Sequence, residues 1–368
     1  MTQLADTRER YLTAFKTFAG NGAAGAPPWL KEMREAAIAR FAELGFPTTR
    51  QEEWRFTSVA PIAETTFTLS HGRETAQVTR RQLEPLCVGG PRAVRVVFVA
   101  TAGAGPTVSH PRSLVVLERG AQATVVESYV ALADGLYWTN AVTEVAVGDG
   151  ARLEHYRLQR ESRQAYQVAT THATQGRDSV LRLHPIALGG GLARHDVHTV
   201  LAGSGAELIL NGFYLLHGSQ HSDHHTVIDH AQPHCASHEF FNGIVGEQGH
   251  GVFNGRIIVR PGAQRTDSKQ TNNNLLLSTA ARADSQPQLE IYADDVKCTH
   301  GSTVGPLDQT ALYYLRSRGL SPETAAGMLT YGFAAEILGR MAHTELREEL
   351  DRVVRARLAD RSRGGRRA

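Results

Sequence analysis

Residues 206–216 read AELILNGFYLL, a run of strand length whose interpretation fixes the fold. Its side chains are of the bulky apolar type that suits a pleated, half-buried surface. The same texture recurs from Val94 onward, as VRVVFVA at 94–100, SLVVLE at 113–118, ATVVESYV at 123–130 and VTEVAV at 142–147. It continues as ARLEHYRL at 151–158, VLRLHPIAL at 180–188, GRIIVR at 255–260 and QLEIYA at 288–293. Glycine and polar turn residues separate the runs, and no helical pattern interrupts them up to Val296. Two all-β architectures compete. A sandwich or jelly roll joins antiparallel strands through turns such as Asp149-Gly150 and Asn211-Gly212, yet roughly two hundred residues is long for one sandwich. A solenoid stacks rungs without a length limit, and run intervals of roughly ten to twenty residues suit one or two strands per rung. Asn272-Asn273-Asn274 ahead of Leu275-Leu276-Leu277 reads as a rung corner feeding an inward-facing strand. Pattern alone puts the solenoid slightly ahead.

Both flanks read as helical. Tyr11, Phe15 and Phe18 recur at helical spacing, and Met33, Ala37, Phe41 and Leu44 repeat the pattern after Pro27-Pro28. Gly45 and Pro47 stop the second helix. The strip TTRQEEWRFT at 48–57 then offers Trp54 and Phe56 to a core, with Glu52, Glu53 and Arg55 in water. Beyond the strands, Leu312, Leu315 and Arg316 share one side of a short helix that Gly319 ends. Ser321 caps the next helix, with Pro322 at its first position and Glu323 near its positive end. Ala325, Met328, Leu329, Phe333, Ile337, Leu338 and Met341 form a broad apolar stripe. It packs on the neighbouring helix or, in part, docks a partner. The arginine-rich tail from Arg352 to Ala368 reads as a solvated end. The expected divisions are 1–90 helical, 91–305 β core, and 306–368 helical with a basic tail.

The 368 residues carry a formal net charge of +2, so no overall field would hold nucleic acid or an anionic membrane. Cys87, Cys235 and Cys298 are far apart and odd in number, which fits a reducing compartment. Charged residues from Asp6 to Arg10 precede any apolar run, so no signal peptide is expected, nor any membrane span. The expectation is a cytoplasmic chain with neither nucleic acid nor membrane as partner.

Chemistry concentrates in two places. YADDVKCTHG at 292–301 sets Cys298 and His300 two apart, hence on one face of a strand. A thiolate and an imidazole suit zinc, copper or an iron–sulfur cluster, but a closed site needs four ligands and no CxxC lies nearby. Taken alone, the pair is better read as a buried cysteine beside a hydrogen-bonded histidine. The tract HGSQHSDHHTVIDHAQPHCASH at 217–238 holds seven histidines. Polar rung corners are the favoured reading, and a stand-alone β-helix or barrel metalloprotein using His224 and His225 is the alternative. HExxH and GxSxG are absent, and the glycine clusters at Gly89-Gly90 and 189–191 lack the lysine and hydroxyl of a phosphate loop. Asp294 and Asp295, adjacent on a strand, would face opposite ways and could not flank one glycosidic bond.

Three longer segments carry a resemblance: FNGRIIVRPGAQRTDSKQTNNNLLLS, PQLEIYADDVKCTHGSTVGPLD and LYYLRSRGLSPETAAGMLTYGFAAEIL. From Phe253 to Leu338 the chain closely resembles the SufB/SufD family of the SUF iron–sulfur cluster assembly machinery, and EEWRFT at 52–57 looks like that family's entry motif. The KCTHG wording, without an N-terminal cysteine motif, resembles the SufD branch. The resemblance implies a right-handed parallel β-helix between helical segments and a non-catalytic role. It further implies a complex with a SufB-type paralogue and a SufC-type ABC ATPase, and a homodimer is open to the chain when SufB is absent. His300, with Cys298 as helper, would serve a transient iron–sulfur cluster shared with SufB. Tyr314, Leu315, Arg318, Gly319, Ala325, Met328, Leu329 and Phe333 would dock the ATPase. A reduced flavin is associated with the whole complex, and no residue here locates it. A purely structural partner, with Cys298 and His300 inert, is the third reading.

Overall fold

The computed structural model describes residues 2–21, 25–70, 78–88, 92–101 and 105–364, in two compact units, Met1–Phe67 and Thr68–Ala368. The Gly89-Gly90 pair and the last four residues of the basic tail lie outside the described residues. In the first unit α1 spans Thr2–Asn21, α2 Pro28–Leu44 and α3 Ala60–Glu64. Tyr11, Phe41 and Phe46 meet edge to face, with ring centroids 5.2–6.1 Å apart. Gly45 ends α2 at φ 66° and ψ −159°, a positive-φ conformation that glycine adopts without strain. Trp54 and Phe56 are half-buried while Glu52, Glu53 and Arg55 face water, as the sequence pattern requires.

The second unit is a parallel β-solenoid of about seven turns with two strands per turn. One sheet holds β1 (Thr68–Leu69), β3 (Thr107–Ser109), β4 (Arg112–Leu117), β6 (Tyr137–Val147) and β8 (Tyr166–Gln175). It continues through β10 (Leu192–Leu201), β12 (His221–His230), β14 (His250–Val259) and β16 (Arg282–Ile291). The other holds β2 (Val94–Ala100), β5 (Gln122–Ala131), β7 (Arg152–Arg160) and β9 (Val180–Ala187). Its last members are β11 (Glu207–Leu216), β13 (Ala236–Val245), β15 (Asp267–Leu276) and β17 (Lys297–Gly305). Every pairing is parallel, which excludes the sandwich and its hairpins. Asp149-Gly150 does turn the chain, with Gly150 at φ 64°, but it sends β6 of one sheet to β7 of the other. Asn211-Gly212 is no turn at all, since both lie inside β11.

The solenoid interior is filled by Leu153, Leu181, Leu208, Leu210, Phe241, Phe253 and Ile257, all essentially inaccessible. Asn272, Asn273 and Asn274 lie within β15 rather than at a corner. Asn273 donates to Asn242 Oδ1 of the rung below, and Asn274 donates to Asn272 Oδ1 at 2.7 Å. Asparagines are tolerated there because the stack supplies their partners. Asp294 and Asp295 lie in the bend before β17, not on a strand.

Three helices follow, α5 (Gln309–Ser317), α6 (Pro322–Leu338) and α7 (Thr344–Gly364). Asp308 caps α5, Ser321 caps α6 with Pro322 at its first position, and Gly319 separates them at φ 89°. Ala334, Ile337, Leu338 and Met341 pack on Phe213, Leu215 and Ile244, which covers the outer face of the second sheet. The tail is not solvated from Arg352, because α7 runs through it. Leu346, Leu350 and Val354 recur at four-residue spacing and are buried in the same cluster. No helix among the described residues is long and apolar enough to cross a membrane.

Candidate functional site

The solenoid ends on β17. Gln270 of β15 stands in register with His300, and Ser268 with Cys298, so both candidates continue columns that are buried one rung earlier. Without a further rung above it, His300 is exposed and Cys298 half-buried against the core. They share a face, as their spacing requires. Burial and the nearby Asp267 carboxylate push the Cys298 thiol up, so it keeps its proton at neutral pH. Lys297 donates to Thr266 on the paired side, and in a parallel ladder successive residues face opposite neighbours. The peptide groups of Cys298, His300 and Ser302 therefore face the unpaired edge.

Beneath this end runs a polar interior that sequence reading did not anticipate. Glu239 accepts a 2.6 Å hydrogen bond from Gln270, and burial without a cation raises its carboxyl to about 7. Glu161 is also raised to about 7 by burial, although Thr139 at 2.6 Å and Gln167 at 2.6 Å donate to it. Burial would raise Glu127 too, but His155 at 3.1 Å and the charge of Arg157 outweigh it and hold the group at about 2. No local signal in the sequence marks this interior, because the register emerges only when the turns stack and set residues such as His195 and His224 opposite each other in neighbouring strands.

The histidine tract is mostly not a set of corners. His221, His224, His225 and His230 lie within β12, and His224 and His230 point into the interior. Burial lowers both to about 4, so they are neutral imidazoles. His217 and His234 lie in corners, His234 at φ 62°, and His238 is exposed on β13. Among the described residues no group of three or more His, Cys, Asp or Glu side chains is arranged to hold a metal ion. The cavity beside His195 and His224 is only about 10 Å³, room for about one water.

The helical candidates divide by exposure. Tyr314, Arg318, Gly319 and Met328 are exposed; Leu315, Leu329 and Phe333 are half-buried; Ala325 is buried beneath them. Asn242 of β13 donates to the Phe333 carbonyl at 3.1 Å and ties α6 to the sheet. A groove of about 790 Å³, lined by Leu277, Leu307, Leu312, Ala326 and Leu358, opens alongside.

Comparison with known proteins adds two family matches. Residues 98–333 match the model described as SUF system FeS cluster assembly, SufBD core domain, and residues 5–84 match the SufBD protein N-terminal region. The chain is 37% identical over 264 residues to the iron–sulfur cluster assembly protein SufD of Escherichia coli, covering 72% of this chain and 62% of that one. It is 36% identical over 272 residues to an iron–sulfur cluster assembly SufBD family protein of Synechocystis, covering 72% and 60%. With SufD of Bacillus subtilis the identity is 28% over 265 residues, covering 71% and 60%. The chain thus spans about three fifths of the length of these relatives.

Proposed function

The chain belongs to the SufBD family of the SUF iron–sulfur cluster assembly system, and on that premise we propose that it is a scaffold subunit rather than an enzyme. It pairs with a SufB-type paralogue and docks a SufC-type ABC ATPase, and the new cluster, as cargo, forms where the two solenoids meet. The observation that carries this reading is the last rung. β17 has an unpaired edge, an arrangement that invites a second strand. His300 and Cys298 supply two donors on one face, fewer than iron or a cluster takes. A strand added at that edge brings the remaining ligands from another polypeptide. The same edge permits a homodimer when SufB is absent.

The exposed Tyr314, Arg318 and Met328, with the groove beside them, are the surface assigned to the ATPase. Helices packed on the second sheet can transmit its ATP-driven motion to β17, to the extent that the two ATPase states bind them differently. The test is His300→Ala in the assembled complex. Intact mass should show every subunit present, while cluster formation, followed by visible absorbance, should fall at least tenfold. Full cluster yield would remove His300 from the site.

A further inference from the structure

His221 opens β12 and His250 opens β14, and the two stand in register on adjacent rungs. Their Nδ1 atoms are 3.2 Å apart and their ring centroids 4.7 Å, with planes at 71°. His250 Nε2 lies 2.6 Å from Asp284 Oδ2, in the next strand of the same sheet. We propose that His221 and His250 form a two-histidine site for a divalent transition metal of the zinc class, with Asp284 orienting His250 from behind.

The spacing of the two nitrogens suits a shared metal ion. Nitrogens at about 2.05 Å from a zinc ion, near the tetrahedral angle, lie about 3.3 Å from each other, with centroids about 5 Å apart. An end-on N–H···N bond of the same length holds the centroids nearer to about 5.5 Å. The observed 4.7 Å is shorter than both, so the 3.2 Å nitrogen spacing and the Asp284 contact carry the assignment. Asp284 accepts the Nε2 proton of His250, so the lone pair stands on Nδ1, where it accepts from His221 Nδ1 until a metal takes the place of that proton. A carboxylate behind a ligating histidine is the usual outer-shell support of such sites. When the metal binds, His221 moves its own proton to Nε2, so the step is a tautomeric shift without net charge transfer. No third His, Cys, Asp or Glu converges there among the described residues, so water fills the remaining positions. His250 and Asp284 are partly exposed, at 21% and 26%, so water and metal can reach them. The site is separate from β17 and stands or falls without the scaffold reading.

The experiment is calorimetric titration of the full-length chain with Zn2+, with Mg2+ as control. One equivalent of Zn2+ should bind and Mg2+ should not, and Cu2+ should bind more tightly than Zn2+. His221→Gln and His250→Gln should each abolish that equivalent, and Asp284→Asn should weaken it about 10–100-fold. His198→Gln, which alters the neighbouring His172–His198 stack, should change nothing. No uptake by the unmodified chain would overturn the proposal. So would uptake that survives both His221→Gln and His250→Gln, since the metal would then belong to other histidines. Should one variant fail to fold, judged by its melting curve, the other together with Asp284→Asn decides the matter.

Discussion

Gly212 shows how one residue can mislead as sequence and inform as structure. After asparagine it looks like the tip of a hairpin, yet it sits mid-strand, where a Cβ would overlap the Phe241 ring from the next rung at well under 3.0 Å. Gly243 makes the same room for Tyr214, whose hydroxyl bonds Asn274. These glycines exist for the rings stacked over them, and φ plays no part. Gly212→Ala should therefore destabilise the chain by about 1–3 kcal/mol or more, the range for overpacking a filled core. Chemical denaturation measures it, and an unchanged midpoint would mean that the ring moves aside freely. That Cys298 and His300 share one face of a strand was readable at this scale, because alternation along a strand is a local property. Glu239 was not readable, since nothing nearby in sequence marks it as buried.

At the scale of elements, β17 is the strand that the proposal needs, and its two edges are not equivalent. Ser302 directs its N–H to the open side, whereas its neighbours serve the ladder with β15. Ser302→Pro deletes a donor from the free edge without breaking a bond to β15. The variant should melt like the unmodified chain yet fail to hold the SufB-type partner, as size-exclusion chromatography would show. Normal pairing would sink edge-strand addition as the mode of assembly. The helices tell a related story. The cap at Ser321 and the stop at Gly319 follow from residue type, so the end of α5 and the start of α6 were visible in advance, whereas the Asp308 cap was not read. α7 was hidden by its arginines, because an apolar residue every fourth position is weak against six positive charges.

For the molecule as a whole, the polar interior sets a pH optimum. Glu161 and Glu239 ionise at about 7 when folded but near 4.3 when unfolded, so the folded chain holds the extra protons between those values. Their contribution falls as pH rises through that window, and the cost is complete above 7. The imidazoles of His184, His221, His224 and His230 are depressed by burial to about 3 or 4, against about 6.5 unfolded, and His195 is depressed likewise. Their contribution is complete above about 6.5 and is lost as pH falls. Glu127, held at about 2, acts in the same sense below about 4.3. The imidazoles outnumber the carboxyls, so thermal stability should peak near pH 6.5, fall steeply towards acid and decline gently through 7. Glu239→Gln should flatten the alkaline side and stabilise the chain at pH 8 by on the order of 1–3 kcal/mol. A melting curve for that variant no better than the original at pH 8 would mean that the carboxyl is solvated. The sequence by itself determined that strands of this length recur, that helices flank them, and where several of those helices begin and end. Each of these is written in residues a few positions apart. Only the tertiary structure decided that the strands pair in parallel, that Asn272 to Asn274 lie inside a strand, and that the histidine tract divides between interior and surface. The partner of each residue lies about thirty positions away, in the next turn, and only stacking of the turns decides which side chains meet and which are shut away from water.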